Sequence, residues 1–82
     1  MSWTVYIVRC RDNCLYTGIT KDLARRIKEH SSGRGCRFTK YRTPVKLVYH
    51  QKVATRSLAL KRESVIKSLP RKKKLELIKA GR

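Results

Sequence analysis

Five residues of this chain have types and spacings that could act on a phosphodiester: Tyr6, Tyr16, Arg26, His30 and Glu63. Tyr6 and Tyr16 fall in two short runs, Thr4-Val5-Tyr6 and Tyr16-Thr17-Gly18, that read as neighbouring strands. Arg26 and His30 are four apart, so on a helix they share a face. Glu63 lies inside a basic, apolar segment, Leu60-Lys61-Arg62-Glu63-Ser64-Val65, in a chain with only 5 acidic residues. A lone carboxylate has a chemical use: Mg2+ is often held by one or two carboxylates, with waters and substrate phosphate filling its other positions. The clustered carboxylates of a two-metal nuclease are missing from the sequence. A metal-dependent enzyme built from these residues would most simply use one ion. Each residue also has an ordinary reading. Arg26 suits a solvated helix face, His30 a helix end, the tyrosines sheet packing, and Glu63 an ion pair with Lys67 at i+4.

The elements that must position these residues can be read from pattern. Residues 3–10 are rich in strand formers, Arg11-Asp12-Asn13 is turn chemistry, and residues 14–19 read as the returning strand. A three-residue loop places Tyr6 opposite Gly18 and Val8 opposite Tyr16. Both tyrosines then share one face, and Gly18 leaves room beside Tyr6. A two-residue loop would put the tyrosines on opposite faces. The first register also sets Cys10 opposite Cys14, where a disulfide could form under oxidising conditions. Thr20 is the expected N-cap of a helix over 21–31, with Asp22 near its positive end and Leu23, Ile27 and His30 on one face.

Ser31-Ser32-Gly33-Arg34-Gly35 ends that helix and opens a basic loop that Pro44 closes. Residues 45–53 read as a third strand, and 54–69 as a helix with Leu58, Val65, Ile66 and Leu69 inward. Pro70 suits the first turn of a short third helix with Leu75 and Ile78 on its apolar side. The order β-β-α-β-α-α predicts an α+β fold, a small three-stranded antiparallel sheet flanked by helices, as one domain over 1–82.

Charge points to the partner. There are 22 Lys and Arg against 5 Asp and Glu, a formal net charge of +17 over 82 residues. Such a surface attracts polyanions. Arg25, Arg34, Arg37, Lys40, Arg42 and Lys46 could track a phosphate backbone, with Phe38 and Tyr41 available to stack on an unpaired base. Arg71-Lys72-Lys73-Lys74 forms a second basic cluster. The 3 cysteines, Cys10, Cys14 and Cys36, form no C-x-x-C pair and fit no common zinc module. No run is long enough to span a bilayer, and the N-terminal apolar run is too short for a signal peptide, so a cytoplasmic location is expected. A membrane-surface role is disfavoured because no helix joins a basic face to a large aromatic one.

Together the ordered residues resemble the GIY-YIG nuclease superfamily, in its small stand-alone branch. The signature halves stand as Thr4-Val5-Tyr6 and Tyr16-Thr17-Gly18, and Asp22, Leu23, Arg26 and His30 match the downstream pattern. Glu63 matches the family's metal-binding glutamate on the helix after the third strand. The resemblance implies the fold above and a metal-dependent nuclease acting on DNA, structure-selective or weakly specific, in repair or recombination. It makes Tyr16 the general base or water-orienting group and Tyr6 its positioner. Arg26 becomes the stabiliser of phosphorus charge, His30 a holder of the nucleophile or a proton carrier, and Glu63 the ligand of one Mg2+ or Mn2+ ion. Thr4 and Thr17 depart from the signature, and the asparagine that some relatives carry beyond the glutamate is missing. With no added recognition domain, target choice would rest on nucleic-acid shape, DNA or RNA, or on a protein partner. The rival reading is a non-catalytic nucleic-acid-binding protein on the same fold.

Overall fold

The computed structural model describes residues 2–34, 40 and 42–81. Three strands, β1 (Trp3–Arg9), β2 (Leu15–Thr20) and β3 (Lys46–Val53), form one antiparallel sheet in the order β2-β1-β3. Three helices complete the order: α1 (Leu23–Ser31), α2 (Arg56–Ser68) and α3 (Arg71–Ala80). Among the described residues no helix is long and apolar enough to cross a membrane.

The hairpin register follows from its three-residue loop. Tyr6 faces Gly18 and Val8 faces Tyr16, and the Cys10 backbone N–H donates to the Cys14 carbonyl at 2.9 Å. Asn13 supplies the left-handed turn conformation, with φ 69°, which asparagine tolerates better than most residues. No disulfide joins Cys10 to Cys14.

Alternation along β1 splits the core in two. Val5 and Ile7 point one way and pack with Val48, Tyr49, Ala59 and Ile66. Tyr6 and Val8 point the other way and pack with Cys10 and Val45, against Tyr16, Leu23 and Ile27. So α1 covers one face of the sheet, and α2 and α3 the other. The apolar run Leu47-Val48-Tyr49 is reconciled with alternation by an irregularity. Ile7 pairs with Tyr49 and Val8 with Leu47, leaving Val48 as the extra residue that also turns inward.

Three expectations are corrected. The N-cap of α1 is Asp22, whose carboxylate accepts from the Arg25 N–H at 3.1 Å. Thr20 stays in β2, and its hydroxyl instead accepts from the Asp22 N–H. On α2 the buried residues are Ala59 and Ile66, whereas Leu58 and Val65 are 48% and 49% exposed. The helix approaches the sheet through the small Ala59, and that rotation carries the bulkier pair to the surface. On α3, Leu77 and Ile78 pack inward and Leu75 is exposed.

Candidate active site

Tyr6 lies at the centre of the site, on the middle strand, with its ring crossing over β2. Only a glycine permits this path. A Cβ on Gly18 would stand 2.6 Å from the Tyr6 hydroxyl oxygen and 2.8 Å from Cζ. The hydroxyl is 2.9 Å from His30 Nε2, and Arg26 Nε donates to the same oxygen at 3.3 Å. The four-residue spacing on α1 thus brings arginine and histidine onto one atom. Tyr16, half-buried, sets its ring against His30 with centroids 5.3 Å apart. Tyr6 is 1% exposed and His30 0%.

A guanidinium only donates, so the Tyr6 oxygen accepts from Arg26. Between Tyr6 and His30 the direction depends on the tautomer: with the imidazole proton on Nδ1, Nε2 accepts the Tyr6 hydroxyl hydrogen. Burial, and then the Arg26 charge, push His30 below its ordinary value, with Glu29 pulling weakly the other way. Desolvation works against the Arg26 charge, but hydrogen bonds to Tyr6 and Glu29 outweigh it and hold that pKa above the usual one. The Tyr6 oxygen thus joins Arg26 and His30. Tyr6 and His30 are buried, so the part-exposed members of the cluster are Tyr16 and Arg26.

Glu29, on α1, is a further neighbour of the site. Its carboxylate accepts from Arg26 Nη1 at 3.1 Å and pairs with Arg25 Nε at 3.6 Å. The i+3 and i+4 spacings were visible in the sequence, but many other basic residues were equally available as partners. Glu29 lines two adjoining grooves. One, of about 180 Å³, runs along Thr20, Lys21, Asp22, Arg25 and Arg26. The other, of about 630 Å³, runs along Arg25, Lys28, Ser32 and Arg34.

The model of the GIY-YIG catalytic domain matches residues 2–76. The chain belongs to the GIY-YIG family. A UPF0213 protein of Staphylococcus saprophyticus is 52% identical over 77 residues, 94% of this chain and 94% of that protein. One of Haloquadratum walsbyi is 52% identical over 77 residues, 94% of this chain and 86% of its own. The solution NMR structure of a UPF0213 protein from Bacillus halodurans superposes with TM-score 0.64 at 40% identity, covering 98% of this chain and 85% of that one. These relatives' names carry no activity; the GIY-YIG domain itself is that of an endonuclease family and suggests a nuclease.

The GIY-YIG glutamate position needs separate comment. Glu63 sits on α2, across the sheet from α1, with its side chain 19% exposed and Oε2 3.4 Å from Lys67 Nζ. It takes no part in the Tyr6–Arg26–His30 hydrogen bonds. Among the described residues no three His, Cys, Asp or Glu side chains cluster to hold a metal. The donor set therefore fits an ion that takes most of its ligands from water and phosphate, and does not fit a closed protein cage.

The expected nucleic-acid contacts are spread out. Arg25 and Arg34 border the larger groove, and Arg34 Nε donates to Ser32 Oγ at 3.2 Å. Arg42 pairs with Asp12 at 3.0 Å in the hairpin turn. There Asp12 is held below the usual carboxylate value, first by the Cys14 backbone N–H and also by Arg42. Lys40 is exposed, and Lys46, also exposed, opens β3 opposite Arg9. Arg71, Lys72, Lys73 and Lys74 open α3, on the sheet face away from α1, with Lys73 paired to Glu76. Cys36, Arg37, Phe38 and Tyr41 lie outside the described residues.

Proposed function

We propose that this chain is a nuclease that hydrolyses phosphodiester bonds in DNA with one divalent ion, choosing targets by structure or weakly by sequence, in repair or recombination. One observation carries the reading. In a chain of net charge +17, a buried tyrosine hydroxyl is hydrogen-bonded both to an imidazole and to a guanidinium, Arg26, that lines a groove beside Lys21 and Arg25.

Each residue then has a task. Arg26 is held at Nε by Tyr6 and at Nη1 by Glu29, and its remaining N–H groups meet a phosphate oxygen and offset charge developing at phosphorus. Tyr16 orients the attacking water and, as the phenolate that a nearby cation would favour, would take up its proton to become the neutral phenol. Tyr6 and His30 act through their neighbours as positioning residues. His30 braces the Tyr16 ring and accepts the Tyr6 proton, which keeps the Tyr6 oxygen turned toward Arg26. Glu63 would hold one Mg2+ or Mn2+ ion, which when bound polarises the phosphate and steadies the leaving oxygen. Arg25 and Arg34 hold the backbone along the groove.

The second reading, a non-catalytic nucleic-acid-binding protein, is favoured by the Glu63–Lys67 ion pair, which occupies the only carboxylate assigned to a metal. Supercoiled plasmid and a branched oligonucleotide, incubated with Mg2+, Mn2+ or EDTA, separate the two. Cleavage by the wild type that EDTA and Glu63→Ala abolish supports the nuclease. Binding without cleavage by both proteins supports the alternative. Equal cleavage by both removes Glu63 from the site.

A further inference from the structure

The chain's single tryptophan, Trp3, opens β1 and is half-buried, packed against the Val5 and Ile7 side of the core. Two cations converge on its ring: Lys21 Nζ lies 5.3 Å from the centroid and Arg56 Cζ 5.9 Å. Lys21 follows β2 and Arg56 opens α2, so three elements meet at this corner. Among the described residues neither cation pairs with a carboxylate; Asp12, Glu29, Glu63 and Glu76 are taken by other basic side chains. Lys21 also lines the smaller groove beside Arg25 and Arg26, so the corner is continuous with the candidate active site.

Building on the nucleic-acid reading above, we infer that Trp3, Lys21 and Arg56 form a subsite for one unpaired base of a nucleic-acid strand. The base stacks on the indole, and the phosphates flanking it take the two cations. An exposed cation–π contact changes an equilibrium constant by a factor of about two to five, whereas a base stacked on an aromatic ring contributes about five- to 150-fold. Exchange of the cations from ring to phosphate therefore favours the bound strand. Both side chains are exposed and long enough to move with it. A base inside a duplex is stacked on both faces and has none to offer. The subsite thus selects a single-stranded end, gap or branch, and gives this domain a means of choosing structure.

The test is a titration of the full chain, in EDTA to prevent cutting, with a short fluorescein-labelled oligothymidylate and with a blunt duplex of equal length. Anisotropy reports binding. Tryptophan emission reports on Trp3 alone. Oligothymidylate should quench that emission and the duplex should not. Trp3→Leu should lower the ratio of single-strand to duplex affinity by about five- to 150-fold. Should that variant fail to fold, Lys21→Ala and Arg56→Ala, both surface changes, carry the test. Each should reduce the slope of log affinity against log salt for the single strand by about one. Oligothymidylate binding with unchanged Trp3 emission, or an unchanged affinity ratio and unchanged slopes, overturns the subsite and leaves the nuclease reading standing. Quenching by a protein that cuts nothing with Mn2+ supports the subsite and refutes the nuclease. No binding to either probe refutes both.

Discussion

Replacing Gly18 by alanine should disable the site from a position that carries no chemistry. The new Cβ would lie 2.6 Å from the Tyr6 hydroxyl oxygen and 2.8 Å from Cζ, so the ring must retreat by several tenths of an ångström. Tyr6 is 1% exposed and has no open space to move into. Overpacking of this kind costs about 1–3 kcal/mol, and two hydrogen bonds, at 2.9 and 3.3 Å, are stretched or lost at about 1 kcal/mol each. Gly18 does not adopt a positive φ, so alanine should recover the usual strand advantage over glycine of roughly 0.5–1 kcal/mol. The balance is about 2–4.5 kcal/mol of destabilisation. For a domain of this size that is a fall in Tm of roughly 8–36 °C, read by circular dichroism. Tyr6→Phe in the same background removes the atom nearest the clash, so the double variant should be less destabilised than the sum of the singles. A Gly18→Ala protein that melts at or above the wild-type temperature would refute the close approach of Tyr6 to β2.

Protonation of His30 should weaken the fold. Its folded pKa lies below the ordinary value of about 6.5, so the unfolded chain binds more protons in the interval between the two. Stability from this group is full above about 6.5 and is lost as pH falls toward the folded pKa; urea unfolding at neutral and acid pH should show this, with a flatter response in His30→Gln. Asp22→Ala removes the α1 cap and should cost about 0.5–2 kcal/mol, while Thr20→Ala costs less, in the same urea assay. Ile66→Ala, fully buried, should cost about 2–5 kcal/mol, and the exposed Leu58→Ala well under half of that; equal losses would show that α2 is turned as its bulky residues suggest.

Much of the fold and part of the site could be read from residue order, for physical reasons. Strand formers flanking a turn located the hairpin but left two registers open, and the structure takes the three-residue loop that sets Tyr6 against Gly18 and on the face of Tyr16. Helical periodicity placed Arg26 and His30 on one face. The approach of α2 to the sheet was not legible: reading by bulk selects Leu58 and Val65, whereas close packing uses the smaller Ala59. The extra residue Val48 was likewise hidden, because three apolar residues in a row do not say where a ladder slips. Glu29 escaped because its partners depend on which of many basic side chains lie nearest in space. The burial of His30 against the rings of Tyr6 and Tyr16 follows only from how α1 lies on the sheet.

The most direct test is the role of Arg26, a part-exposed cation hydrogen-bonded to Tyr6. Cleavage of a branched DNA with Mn2+, at protein concentrations that saturate binding, should be compared for wild type and Arg26→Ala, with affinity measured separately in EDTA. Loss of a charge-stabilising donor should slow cleavage by about 100- to 1,000-fold, while affinity falls by no more than one phosphate contact. Cleavage at the wild-type rate by Arg26→Ala, or none by the wild type on DNA that it binds, would contradict the central claim.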